Sequence, residues 1–166
     1  MNPEYLREKT NLDDFFNPWI IVIGCLNDKS GKTLEEIYKP FNCPISYVSL
    51  REAEIQKYIH NIFNACKISF FNEMRMICDE INVDADKVFE LVVKSAEGSW
   101  NHKYGIGNFG PYGGSCLPKD TTAFLDWFKK EIKTVSSMPV LEGVIEVNEM
   151  VKEKQNNSKS NNVPKR

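Results

Sequence analysis

Between Arg51 and Glu97 the chain contains neither glycine nor proline. The two residues that most readily end or bend a helix are thus missing from that whole stretch. Apolar side chains recur at Ile55, Ile59, Ile62 and Cys66, then at Phe70, Met74, Ile77 and Ile81. That spacing predicts a helix from about Glu52 to Ile81. Such a helix is about 45 Å long. A small domain cannot bury a rod of that length alone, so part of it is expected to pack against a partner subunit. Asp84 is placed to cap a second helix over residues 85–95, with Val88, Leu91 and Val92 on its inner side. Gly98 is expected to end it.

The flanks are different in kind. Trp19 to Ile23 is a continuous apolar, β-branched run that suits a strand buried on both faces. Residues 33–39 read as a short helix, and Ile45 to Val48 as a second strand. Two parallel strands cannot cover their own edges, so residues 1–50 read as the end of a larger α/β domain. After the long helical part, Lys119 to Phe128 continues the helix that Pro118 opens. Ser136, Ser137 and Pro139 open a last helix to about Val151. Residues 152–166 are polar and low in complexity and are expected to be disordered. The expected fold is mainly α: a β-α-β piece, a helical domain over 51–151 with one very long helix, and a tail.

Composition narrows the function. The chain has 166 residues, 42% hydrophobic and 27% charged, with a net charge of -2. That is an ordinary globular balance without the basic footprint of a nucleic-acid binder. No apolar run is long enough to span a bilayer, and the N-terminus lacks the pattern of a signal peptide. A cytoplasmic protein is expected. The five cysteines include no CxxC pair, and His60 and His102 flank no cysteine pair. Reduced thiols and no structural zinc are expected.

Two phosphate-loop patterns fail on inspection. Gly24 to Thr33 ends in Gly-Lys-Thr after a strand, but six residues separate Gly24 from Gly31. A P-loop needs four, so that its N–H groups close round a phosphate. Gly105-Ile106-Gly107-Asn108-Phe109-Gly110 is formally GxGxxG. It neither leaves a strand nor enters a helix, as dinucleotide binding requires.

The stretch with the clearest chemistry is Gly110-Pro111-Tyr112-Gly113-Gly114-Ser115-Cys116-Leu117-Pro118-Lys119-Asp120. Pro118 suits a helix start, which places Cys116 just ahead of a helix N-terminus. Free N–H groups and the helix dipole favour a thiolate there, and the thiolate is the nucleophile. Gly113 and Gly114 permit close approach of a substrate to the backbone. The alternative is a buried structural cysteine after a glycine turn. Lys57 and Asn61, four apart on one helix face, are either a solvated pair or a cation and an amide aimed at developing negative charge.

Taken together, these segments resemble the UDP-glucose/GDP-mannose dehydrogenase family. GPYGGSCLPKD is similar to its active-site cysteine motif. Asn2-Pro3-Glu4-Tyr5-Leu6-Arg7-Glu8 resembles its NPEFLREG stretch, with Tyr5 for Phe. Residues 54–73 (EIQKYIHNIFNACKISFFNE) resemble the start of its long central helix, and Val144-Ile145-Glu146-Val147-Asn148 the entry to its last linking helix. The resemblance covers the middle of such an enzyme: the end of a Rossmann-like NAD-binding domain (1–50) and the central dimerisation domain (51–151). It lacks the N-terminal NAD fingerprint and the C-terminal sugar-nucleotide domain, so this chain alone is expected not to turn over.

The resemblance implies double oxidation of a sugar-nucleotide hydroxymethyl group to a carboxylate, with NAD as cofactor. Cys116 is then the nucleophile toward the aldehyde, and Lys57 and Asn61 steady the oxygen of the thiohemiacetal. Glu8 handles protons and water in thioester hydrolysis, and Asp120 orients water or assists as base. Glu4, Tyr5 and Leu6 line the substrate site, Gly113 and Gly114 close over the sugar, and Lys119 contributes to cofactor binding. A homodimer through the long helix is implied. Ser115 before Cys116, in place of histidine, points away from the N-acetylmannosamine branch and toward UDP-glucose or GDP-mannose. One departure stands out: no arginine occurs between Arg75 and Arg166. Trp100 sits about where the family places an arginine that reaches across the dimer. Two other readings compete, a helical dimerisation module without chemistry and an unrelated cysteine hydrolase using His60 or His102 as base.

Overall fold

The computed structural model describes residues 1–160. They fall into two units, Met1–Ala65 and the part from Cys66 onward. Helix α3 (Leu50–Glu80) contributes to both.

The first unit contains α1 (Asn11–Phe16), β1 (Ile21–Gly24), α2 (Asp28–Tyr38), a 3-10 turn (Lys39–Phe41), β2 (Ile45–Val48) and the first half of α3. The strands run parallel in the register Ile21 to Ile45 and Gly24 to Val48. Ile21, Val22 and Ile23 are buried, as the unbroken apolar run predicts. Trp19 precedes the strand and is half exposed. Residues 1 and 2 lie along the other edge of β1: Gly24 N–H donates to the Met1 carbonyl at 2.8 Å, and Asn2 Nδ2 to the Val22 carbonyl at 2.8 Å. The Gly-Lys-Thr sequence lies inside α2. Asn27 caps that helix by accepting from Ser30 N–H, so it starts five residues earlier than the periodicity indicates. Gly31 is buried there, and a Cβ on it would stand 2.9 Å from the Tyr47 ring. At the end of β1, a Cβ on Gly24 would stand 2.6 Å from the Ala53 Cβ. Strand and helix therefore meet backbone to side chain at that point.

Asp14 is the buried charge of this unit; its side chain is 4% exposed. Arg7 meets it with a planar fork, Nη2 to Oδ1 at 2.5 Å and Nε to Oδ2 at 3.0 Å. The Arg7 N–H and the Thr10 hydroxyl complete the shell, both donating to Oδ2. The Arg7 side-chain bonds above all hold the Asp14 carboxyl well below the usual carboxylate range. A group depressed in this way contributes stability that is complete above about pH 4 and is lost as the pH falls further. Residues 1–65 are thus expected to lose urea resistance on acidification below about pH 4, and Asp14→Asn to remove that part of the dependence. Unfolding midpoints between pH 2 and pH 6 check this; equal acid sensitivity in the variant contradicts it.

The start of α3 is a capping box. Ser49 Oγ accepts from Glu52 N–H, and the Glu52 carboxylate accepts from Ser49 N–H at 2.7 Å. Its end is equally defined. Asn82 takes a left-handed φ of 57°, Asn82 N–H donates to the Asp79 carbonyl and Val83 N–H to the Cys78 carbonyl. That is the 6→1 and 5→2 pair of a Schellman motif, with Asn in the place glycine usually takes.

The second unit adds α4 (Ala85–Ser95), a single turn α5 (Glu97–Trp100), α6 (Leu117–Glu131) and α7 (Pro139–Ser160). Asp84 caps α4 by accepting from Lys87 N–H, as expected. Gly98 does not end that helix. The chain turns extended at Ala96 and Gly98 falls within α5. The core is Ile77 of α3, Phe128 of α6, Ile132 and Met138. Each such side chain contributes about 1.5–3 kcal/mol through burial. Phe71 meets Phe89 edge to face at 4.8 Å, tying α4 to α3, and Arg75 pairs with Asp86 beside them. Helix α7 runs on through Ser160, so residues 152–160 are helical and not disordered. Nothing in Lys152 to Ser160 breaks a helix, and Lys152 pairs with Glu149 one turn back. The rest of that tail lies outside the described residues.

The fold agrees with the expectation of a mainly helical chain preceded by a small parallel β-α-β element. Among the described residues no helix is long and apolar enough to cross a membrane.

Candidate active site

Helix α3 and the segment before β1 converge on Tyr5. Its hydroxyl donates to Gln56 Oε1 at 2.5 Å. Its ring lies 4.9 Å from the His60 imidazole and 6.2 Å from Trp19. Burial pushes the Tyr5 phenol up, partly offset by the Gln56 bond. The Lys57 ammonium stands 5.2 Å from the centre of the same ring and donates to the Glu4 carbonyl. Lys57 is half-buried. It is therefore held by the 4–6 segment and does not wave in solvent, which sets it apart from an ordinary surface lysine. Asn61, one turn further along α3, is exposed. Leu6 is 41% exposed. Glu8 is also exposed, in the turn before α1. The structure thus brings Glu4, Tyr5 and Lys57 together and leaves Glu8 outside that cluster.

In the second unit, Gly113, Gly114 and Cys116 lead into α6. Cys116 is its N-cap residue, with Pro118 in the first turn. The Cys116 carbonyl accepts from Asp120 N–H at 2.8 Å. The cysteine is exposed, not the buried structural residue that was the alternative. The Ser115 hydroxyl lies 3.7 Å from its sulfur. Among the described residues no histidine hydrogen-bonds that sulfur, and His60 is turned to Asn64 at 3.2 Å. Gly114 has φ +78°, a left-handed value that requires glycine. A Cβ on Gly113 or Gly114 would meet nothing within 4 Å, so the space beside both is open. Asp120 and Lys119 pair with each other at 3.4 Å in the exposed first turn. Trp100 is 63% exposed.

A cavity of about 980 Å³ lies between the glycine loop and α7. Gly113 and Leu117, on either side of the cysteine turn, reach its wall. Gly110, with φ +78°, is overlain by the Gln155 side chain, which ties the loop to α7. Asn148 of α7 also lines the cavity and is 4% exposed. Its Oδ1 is buried without a hydrogen-bond partner. Sequence reasoning noted Asn148 only as part of a motif. Glu73, likewise noted only as the end of the 54–73 segment, proves to be a buried carboxylate that accepts from Val140 N–H at 2.8 Å and Leu141 N–H at 3.1 Å. It caps α7 from α3. The available signal was a lone charge among Phe70, Met74 and Ile77.

The residues present do not by themselves form a dinucleotide cradle. Gly24, the last residue of β1, is the one glycine there, and Ala53 fills the space beside it.

A glycine-lined cysteine at a helix N-terminus, behind a parallel β-α-β element, defines an enzyme of cysteine nucleophile chemistry attached to an α/β domain. Comparison with known proteins makes the class specific. Residues 51–150 match the central domain of the UDP-glucose/GDP-mannose dehydrogenase family, and residues 1–42 match that family's NAD binding domain. The chain belongs to this family. It is similar to UDP-glucose 6-dehydrogenase YwqF of Bacillus subtilis, with 44% identity over 75% of this chain and 28% of the relative. The crystal structure of a ternary complex of GDP-mannose dehydrogenase from Pseudomonas aeruginosa superposes with a TM-score of 0.83 at 32% identity, over 92% of this chain and 34% of that one. A UDP-glucose dehydrogenase from Pyrobaculum islandicum gives 0.56 at 38% identity, over 90% and 33%. The chain spans about a third of the length of these relatives.

Proposed function

We propose that this chain is the catalytic-cysteine and dimerisation part of a nucleotide-sugar 6-dehydrogenase acting on UDP-glucose or GDP-mannose. NAD⁺, held by a complete NAD-binding domain of which residues 1–42 match a part, would supply the oxidising power for two hydride removals. The observation that carries the reading is Cys116, exposed at the N-terminus of α6 beside open glycine backbone. Its thiolate adds to the aldehyde carbon left by the first oxidation. The resulting thiohemiacetal holds the intermediate covalently, and its oxidation yields a thioester. Water then cleaves the C–S bond, releasing carboxylate and thiol.

Lys57 serves as the cation for the substrate oxygen, positioned by Glu4 and Tyr5, with Asn61 as amide donor. Gly113 and Gly114 leave room for the sugar, and Leu6 adds to the substrate wall. Asp120 and Glu8 handle water and protons in the hydrolysis, and Lys119 would contribute to cofactor binding. The exposed Ile55, Ile59, Ile62 and Phe63 of α3, each more than half exposed, support a homodimer through that helix. The same face is what a purely structural dimerisation module would present.

Alkylation separates the two readings. Cys66 and Cys116 are both exposed, but only Cys116 stands at a helix N-terminus. Below neutral pH, iodoacetamide is expected to modify Cys116 about 10-fold faster than Cys66, and UDP-glucose or GDP-mannose to slow Cys116 alone. Equal rates without protection would sink the catalytic reading and leave the structural one.

A further inference from the structure

Neighbouring residues of a helix point about 100° apart, so Gln56 and Lys57 of α3 meet the same group only where something bridges them. Tyr5 is that bridge. Its hydroxyl donates to Gln56 Oε1 at 2.5 Å, and the Lys57 ammonium stands 5.2 Å from the centre of its ring. The hydroxyl bond fixes the far end of the ring axis but does not stop the ring from turning about that axis. His60 and Trp19 do so: their rings lie 4.9 Å and 6.2 Å from that of Tyr5, tilted by 50° and 39°. Gln56, Lys57 and His60 are all half-buried. A phenol held at its tip and along its sides is a fixed surface, and a cation gains from its face only while the two stay together.

Lysine depends on such a surface. Its four-carbon stem is flexible, and its ammonium is a point charge without a preferred plane. The two groups that hold Lys57, the Glu4 carbonyl and the Tyr5 ring, belong to one dipeptide. Gln56 ties that dipeptide back to the turn of α3 that carries the lysine. Tyr5 stands where the family motif has phenylalanine, so the hydroxyl is a feature of this chain. We infer that Gln56 is a positioning residue for Lys57, its Oε1 holding the Tyr5 hydroxyl so that the ring and the Glu4 carbonyl aim the ammonium. The inference deepens the proposed role of Lys57 at the substrate oxygen and rests on it. Gln56 touches no reacting atom; it acts through Tyr5. A charge that is in place before the reaction begins costs no reorganisation during it, so loss of the anchor falls on kcat and not on KM.

The first test is spectroscopic and uses the full chain alone. Protons on the Lys57 ε-carbon, held beside a ring face, should resonate upfield of those on exposed lysines such as Lys67. Lys57→Arg identifies the signal by its loss. Gln56→Leu keeps good helix propensity and removes the acceptor, and the upfield shift should be lost. Should the leucine variant not fold, Tyr5→Phe removes the same bond from the other side and should lose the shift as well. An unshifted Lys57 in the parent chain, or a shift that survives in either folded variant, would overturn the inference. The second test is kinetic, with the chain combined with a complete NAD-binding domain, nucleotide sugar and NAD⁺. Gln56→Leu is expected to lower kcat about 10-fold and to leave KM within about 2-fold, and Lys57→Met to lower kcat at least about 100-fold. Unchanged kcat in Gln56→Leu despite the lost shift would overturn the positioning role. Unchanged kcat in Lys57→Met would overturn the reading of Lys57 itself and leave the Gln56–Tyr5 hold standing.

Discussion

Glu73→Ala is expected to destabilise residues 66–160 by about 3 kcal/mol. The side chain is 3% exposed, and its two oxygens take the first free N–H groups of α7, those of Val140 and Leu141. Removing it deletes two charge-assisted bonds, each worth about 1.5 kcal/mol or more. It also leaves two N–H groups in a closed site and takes a negative charge from the positive end of a helix. Glu73→Gln keeps one acceptor oxygen and should lose about half as much. Urea unfolding followed by circular dichroism measures both. A loss below about 1 kcal/mol in the alanine variant would mean that water replaces the carboxylate without difficulty.

Cys116→Ala is expected to cut carboxylate formation by at least about 10³-fold when the chain is combined with a complete NAD-binding domain, nucleotide sugar and NAD⁺. The first oxidation does not use the thiol in this mechanism. NADH yield should therefore fall from two per sugar to one, and an aldehyde-trapping hydrazine should capture the product. Unchanged carboxylate output would remove Cys116 from the chemistry. Loss of both oxidations together would assign the sulfur to substrate binding and not to covalent capture.

The parts of this molecule that could be read from the sequence are those whose cause is local. The long helix follows from its spacing and from the absence of breakers. Its first turn could also have been read, because Ser49 and Glu52 form an S-x-x-E box. The α4 cap at Asp84 and the cysteine turn are contiguous, and both are visible as strings. Gly98 misled, because the helix before it had already turned extended at Ala96. The polar tail misled as well, since low complexity without glycine or proline still permits a helix. Glu73 and Asn148 could not be read at all. The partners of Glu73 lie 67 and 68 residues away, and the significance of Asn148 is the lack of a partner. Lys57 stands between these cases: its spacing from Asn61 is plain, but its hold on Glu4 and Tyr5 depends on how residues 1–6 return to α3.

The seam between Gly24 and Ala53 has a mechanical meaning. With no side chain to cushion them, the tip of β1 and the head of α3 act like meshed teeth. Lys57 sits one turn along that shaft from Ala53. Any shift of the tip of β1 would therefore be passed along that shaft to the Lys57 ammonium.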